Sequence, residues 1–242
     1  MNETSSPADD AAAGRVAPYI IRRTAAAAPL AGEWDHPAWR VANTLAVDRF
    51  HARSSEHHPR ARVRQLFDAA GIYTLFQVED RYVRSVQTDL NDPVCTDSCA
   101  EFFVQPKPDR GYLNFEINCG GTLHCSFVED ATRTPQGFRK WTPVSPELAA
   151  RIRIWHSLPQ VVEPEISAPT TWRVAFFVPF SFFEHYVGAL GTLPGQEWRA
   201  NYYKCGDRTS HPHWATWAPI EVLNFHQPDC FGPIRLEACH NG

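Results

Sequence analysis

The chain has 242 residues, 43% hydrophobic and 21% charged, a composition and length that let a globular fold bury a core without disulfide or metal staples. With 23 basic and 27 acidic residues the formal net charge is -4, which leaves no electrostatic footprint for nucleic acid and argues against anionic membrane surfaces. No apolar run approaches the roughly 20 residues that span a bilayer.

Residues 1–15 are small and polar, carry Glu3, Asp9 and Asp10, and lack the apolar segment of a secretory signal. They predict a disordered tail and a cytoplasmic protein, or an extracytoplasmic one if the true start lies upstream. "VAPYIIRR" (16–23) predicts a first strand. Residues 24–50, broken by Pro29, Gly32 and Pro37, predict loop with a little strand, and "HARSSEHHPRA" (51–61) predicts a polar loop. "GIYTLFQVEDR" (71–81) alternates as a strand, with Ile72, Thr74, Phe76 and Val78 on one face. "CAEFFVQP" (99–106) predicts another, and "GYLNFEINCGGTLHCSFVED" (111–130) a hairpin about Gly120-Gly121.

"PELAARIRIWHSLP" (146–159) begins with a helical turn and continues as a strand, and "TWRVAFFVPF" (171–180) is a long apolar strand. "SFFEHYVG" (181–188) predicts a short helix with Ser181 as N-cap, Glu184 three residues later and Gly188 after it. "EWRANYYK" (197–204) and "FGPIRLEA" (231–238) predict the last strands. Many short strands between Gly- and Pro-rich turns, with one or two short helices, give an all-β fold: a single antiparallel β-sandwich domain over 16–242.

Seven cysteines form no C-x-x-C pair, so reduced thiols, mostly buried, are expected rather than a disulfide framework. Cys205, His211 and His213 are zinc-type ligands in a C-x5-H-x-H spacing, against the plainer reading that the imidazoles bond backbone or shape a pocket. No G-x-S-x-G elbow points to nucleophilic catalysis. Glu101 and Glu116 fall on adjacent predicted strands, as a glycosidase carboxylate pair or as two polar residues of an exposed sheet face. Trp198, Tyr202, Tyr203, Trp214 and Trp217, near Asn201, His211, His213 and Asn224, offer rings for a pyranose face and polar groups for its hydroxyls. At least two of these rings are expected in the core, with Trp155 and Trp172.

The order "DSCAEFFVQP", "YLNFEINCGG", "WRANYYKCGDRTSHPHWATWAPI", "NFHQPDCFGPIRLE" resembles carbohydrate-binding family 9-like proteins, relatives of carbohydrate-binding module family 9 in the wider DOMON-like group. "GIYTLFQVEDRYV" and, loosely, "WDHPAW" extend the resemblance across most of 30–238. It implies a β-sandwich that binds sugar without chemistry of its own and is linked to glycan utilisation. In the better-known modules two tryptophans clamp a sugar at a chain end, helped by a carboxylate, an arginine and an amide. Glu101 matches the carboxylate and Asn118 the amide, while Glu116 stands at the arginine position and Val94 and Cys95 stand where the first tryptophan belongs. The second tryptophan corresponds to Trp217, with Trp214 as the alternative, and His211 and His213 line the same rim.

The resemblance implies no cofactor, though some family 9 modules hold structural calcium, for which Asp80, Asp89 and Asp92 are oxygen ligands of the right kind. Haem-binding relatives use a Met and a His, and here Met1 is the single Met, leaving a pair of histidines. The alternatives to sugar binding are a metal or haem protein, a glycoside-processing enzyme using Glu101 and Glu116, and an interaction module that has lost its sugar. If Glu101, Glu116 and Asn118 share a sheet face, they converge on one patch beside the Trp214–Trp217 loop.

Overall fold

A computed structural model describes residues 16–239, so the expected tail over 1–15 lies outside the described residues. The chain forms β1 (Tyr19–Arg23), the one-turn helix α1 (Pro37–Arg40), β2 (Thr44–Val47), β3 (Arg49–Phe50), β4 (Arg60–Phe67), β5 (Gly71–Asp80) and β6 (Val83–Ser85). There follow β7 (Cys99–Gln105), β8 (Tyr112–Asn118), β9 (Leu123–Thr134), β10 (Gly137–Pro143), α2 (Pro146–Ala149), β11 (Arg153–His156), β12 (Val162–Ile166) and β13 (Thr170–Pro179). The helix α3 (Phe180–Val187) and strands β14 (Glu197–Cys205), β15 (Trp214–Thr216) and β16 (Gly232–Leu236) complete it. Among the described residues no helix is long and apolar enough to cross a membrane.

One face of the fold is the run β10-β9-β8-β7-β14-β16-β1, and the strand order continues as β1-β4-β5-β13-β11, with β6 and β12 paired apart. β1 is the corner. Its residues Tyr19, Ile20 and Ile21 pair with β16, and Arg22 and Arg23 pair with β4. Both pairings are parallel, so the sheet is mixed at β1 rather than antiparallel throughout. A hairpin imposes antiparallel direction, and no hairpin joins β1 to either neighbour.

The core lies between the two runs. Tyr202 of β14 stacks on Phe102 of β7 at 5.1 Å and meets Phe76 of β5 at 6.4 Å, and Phe115 of β8 faces Phe176 of β13 at 6.3 Å. Phe182 and Phe183 of α3 close on Phe115 at 5.7 and 5.9 Å. Each fully buried aromatic of this kind contributes about 1.5–3 kcal/mol.

Several local expectations are corrected. α3 has Pro179 at its N-cap, not Ser181, and the Glu184 carboxylate accepts from the Leu190 amide at 3.0 Å instead of closing a capping box. The helix therefore enters two residues earlier than expected, from a proline in extended backbone at φ -69° and ψ 147°. The 24–50 segment holds the little strand expected of it, as β2 and β3, but also the unexpected helix α1, and β4 begins at Arg60, inside the expected polar loop. The hairpin about Gly120-Gly121 forms as expected, with Gly121 at φ +87°, and a Cβ on Gly120 would lie 2.1 Å from the Gln160 carbonyl oxygen. Its second strand, β9, runs to Thr134, past the expected end at 130, which carries Arg133 to the site described next.

Candidate functional site

Strand alternation sends Ala100, Phe102 and Val104 of β7 into the core and Cys99, Glu101 and Phe103 to the opposite face. Directly paired residues on neighbouring strands share a face. Glu101 stands between Glu116 of β8 and Tyr203 of β14, and Cys99 stands between Asn118 and Cys205. Above this floor lies a cavity of about 300 Å³, walled by Cys95, Asp207, Trp214 and Phe225, with Arg133 and His226 at its edge.

The walls are moored to the floor. Asp207 Oδ1 accepts the Trp214 indole N–H at 2.7 Å, which fixes the ring. The Asp207 amide donates to the Cys95 carbonyl at 3.0 Å, tying the 206–208 loop to the 94–96 turn. Phe225 stacks on Tyr203 at 4.0 Å, and the Tyr203 hydroxyl donates to the Phe225 carbonyl at 2.9 Å. His226 Nδ1 shares a hydrogen bond with the Tyr112 hydroxyl at 2.8 Å, and burial and the Arg133 charge lower its pKa to about 3, so the ring is neutral.

Two carboxyls make the floor. Glu101 is 1% exposed; its Oε1 accepts from the Cys205 thiol at 3.0 Å, while Oε2 has no partner. Glu116 accepts from the Asn114 amide at 2.7 Å. Burial, and then the facing Glu116 carboxyl, push Glu101 well above the usual carboxylate range; burial also raises Glu116, against the pull of His124. The pair therefore holds a proton that exposed carboxyls would release. A buried acceptor left unpaired costs about 1–3 kcal/mol.

The structure brings Glu101, Glu116, Trp214 and Asn224 together around the cavity, with Tyr203 beside Glu101 in its floor, and places Asn118, Trp217, His211 and His213 elsewhere. Asn118 shares the sheet face of Glu101 and Glu116 but is wholly buried at the strand end. Its Nδ2 donates to the Gln87 carbonyl and to Asp97 at 3.0 and 2.9 Å, and its Oδ1 accepts from the Thr122 amide at 2.8 Å. It holds the segment that carries Cys95 and has no group left for a ligand. Trp217 is absent from the cavity: it meets Tyr202 at 5.6 Å, at the edge of the core beside Gly232. His211 stacks on Tyr82 at 3.6 Å, away from the floor.

The Cys205–His211–His213 triad is overturned by the sheet itself. Cys205 faces the cavity, whereas Lys204, one residue earlier, faces the interior with His213. Lys204 Nζ donates to His213 Nε2 at 2.6 Å and lies 3.4 Å from Asp80, all three fully or nearly buried. His213 Nδ1 donates to the His211 carbonyl at 2.8 Å, so neither ring nitrogen is free for zinc or haem. Burial, then the Lys204 charge, lower the His213 pKa to about 3. Burial alone would raise Asp80, but the Lys204 ammonium and hydrogen bonds from His57 and Trp172 override it and hold the carboxyl well below its usual range.

The calcium trio is likewise parted. Asp80 is committed to this interior network, while Asp92 Oδ2 accepts from the Thr88 and Asp89 amides at 3.2 and 2.9 Å in a surface turn. A larger hollow of about 860 Å³ lies beside Trp198 and the 218–233 segment. Its Arg199 donates to the Asp229 and Phe231 carbonyls, and its Glu197 pairs with Arg235. Those groups are already satisfied, so the smaller cavity is the better candidate site.

Sequence reasoning missed Arg133, Asp207, Phe225 and His226 as cavity residues. Cys95 was noted only as standing in the place of a tryptophan. The usable signal was parity: Trp214 and Trp217 are three apart, so in extended chain they face opposite sides.

The family model for Carbohydrate-binding family 9 matches residues 40–236. A crystal structure of a Bacteroides uniformis protein, to which carbohydrate binding has been ascribed, is 27% identical with TM-score 0.74, covering 90% of this chain and 98% of that one. Two structures of a family 9 carbohydrate-binding module from Caldicellulosiruptor kristjanssonii share the fold. The complex with glucose is 12% identical with TM-score 0.57 and covers 92% of this chain and 98% of that one. The complex with cellotriose is 14% identical with TM-score 0.59, covering 92% and 95%. Comparison with curated proteins gave no match.

Proposed function

The chain belongs to carbohydrate-binding family 9, and from that premise we propose that it binds a carbohydrate, without transforming it, in the cavity floored by Glu101 and Glu116. The observation that carries this reading is the unpaired Glu101 Oε2, buried in the floor of the cavity that the fixed Trp214 ring also lines. A pyranose presents an apolar C–H face to an indole and hydroxyls to carboxyl oxygens, which is the pairing this floor and wall supply. The cavity volume of about 300 Å³ is at the small end of the roughly 300–1,000 Å³ of ligand sites. It favours a monosaccharide or the end unit of a chain, in a protein linked to glycan utilisation. The remaining walls offer Cys95 and Phe225 and no second indole.

Binding is favoured over hydrolysis by the floor's electrostatics. A glycosidase needs one carboxyl ionised beside a protonated partner, and here burial pushes both toward the neutral form. Saturation-transfer NMR with mono- and oligosaccharides tests the reading. Transfer to pyranose C–H protons is expected in the native protein and lost in Trp214→Ala. No transfer to any sugar leaves the interaction-module reading in its place, and reducing sugar released by the native protein but not by Glu101→Gln makes it an enzyme.

A further inference from the structure

We propose that Cys99, Glu101 and Cys205 form a binding site for a soft divalent cation of the zinc class, set in the floor of the cavity. Their ligating atoms all lie within 4.8 Å of one another and all three residues are buried. Thiolate sulfur and carboxylate oxygen are donor types that hold zinc. The cluster follows from register: Cys99 and Cys205 are direct cross-strand partners on β7 and β14, and Glu101 is the next residue of β7 on the same face. The set keeps Cys205 from the expected triad and replaces both histidines.

A second observation points to a ligand rather than to inert buried thiols. Glu101 Oε2 is unpartnered although the residue is 1% exposed, and the Cys205 thiol directs its proton at Oε1 3.0 Å away. A cation takes the place of that proton and gives the carboxylate a partner. On binding, both thiol protons and the proton held by the carboxyl pair pass to solvent, leaving two thiolates and a carboxylate on the ion. Glu101 and Cys205 line the cavity, while Cys99 lies beneath it. Three protein ligands leave a fourth position open, and here it opens on the cavity side.

The test is titration of the full, reduced, metal-stripped chain with Cd²⁺, followed by the ultraviolet thiolate-to-cadmium charge-transfer band, with Zn²⁺ as competitor. One ion per chain is expected. Cys99→Ser and Cys205→Ser should each lose the band, Cys125→Ser and Cys239→Ser should keep it, and Glu101→Gln should weaken binding by at least about 10-fold, the least expected for losing even an outer-shell partner. X-ray absorption of the zinc-loaded native protein, which needs no variant to fold, should show two sulfurs in the first shell. No band in the folded native protein, a band unchanged in both serine variants, or a zinc shell without two sulfurs overturns the site. Trp214→Ala should retain cadmium while losing sugar, so failure here is separate from failure of sugar binding.

Discussion

Lys204 and Cys205 are neighbours in β14 that anchor two unlike polar clusters on opposite faces of one sheet. Lys204 Nζ reaches inward to His213 at 2.6 Å and Asp80 at 3.4 Å, and Cys205 Sγ reaches outward to Glu101 at 3.0 Å. The inward cluster is closed and its members are mutually bonded, so its consequences are for stability. The outward cluster opens on the cavity and has an oxygen to spare, so its consequences are for binding.

Lys204→Met should destabilise the fold by about 3–5 kcal/mol, because it strands the Asp80 carboxylate in the core. Urea denaturation measures this, and adding Asp80→Asn should recover part of the loss. A cost below about 1 kcal/mol, the scale of an exposed pair, would contradict the buried pairing.

His213 gives a pH signature. Its folded-state pKa is lowered to about 3 from 6.5, so below pH 6.5 the unfolded chain binds a proton that the folded chain refuses. The stability due to neutral His213 is present above pH 6.5 and is lost as pH falls toward 3. His213→Gln keeps an acceptor for Lys204 but does not titrate. Between pH 6.5 and 5 the native protein should lose about 1.6 kcal/mol more than this variant, the slope rising toward roughly 1.4 kcal/mol per unit as the unfolded histidine becomes fully protonated. Parallel losses by denaturant titration at the two pH values would contradict this.

Trp217→Ala should cost roughly 2–3 kcal/mol, less than the 3–5 of a fully buried aromatic, and should leave sugar affinity unchanged in the folded fraction. Thermal melting and binding at a temperature where the variant is folded separate the two. Lost affinity with unchanged stability would place Trp217, not Trp214, at the sugar.

Asn118→Ala should act through the 86–97 segment. It removes the bonds to Gln87 and Asp97, leaving the buried Asp97 carboxylate one donor short, at about 1–3 kcal/mol. Hydrogen exchange at the Val86 and Gln87 amides, which both donate to Asp97 Oδ2 at 2.9 Å, should quicken. Unchanged exchange there would show that Asn118 does not hold the segment.

The fold was legible where alternation and turn chemistry agree, as in β5, β7 and the Gly120-Gly121 hairpin. β4 was not: its start, Arg60 and Ala61, falls in the expected polar loop of 51–61, and Arg62 and Arg64, alternating with Val63, obscure the strand pattern that follows. The floor of the site was legible as Glu101 and Glu116, since paired strands joined by a short turn put them opposite each other. Its walls were not. Asp207, Phe225 and His226 sit on loops whose path depends on hydrogen bonds to distant segments, such as Asp207 to Cys95 and Tyr203 to Phe225. The zinc-type motif misled because spacing within one segment says nothing of the sheet that divides Cys205 from His213.

The most direct test of sugar binding at this cavity is calorimetry of the native protein, Trp214→Ala and Trp217→Ala against glucose, cellotriose and a wider sugar panel. With Trp214 as its one indole wall, the native protein should bind at least one sugar weakly, near a millimolar dissociation constant or about -4 kcal/mol. Trp214→Ala should abolish that heat while remaining folded, and Trp217→Ala should retain it. Silence across the panel from folded native protein, or binding indifferent to Trp214, would contradict the account.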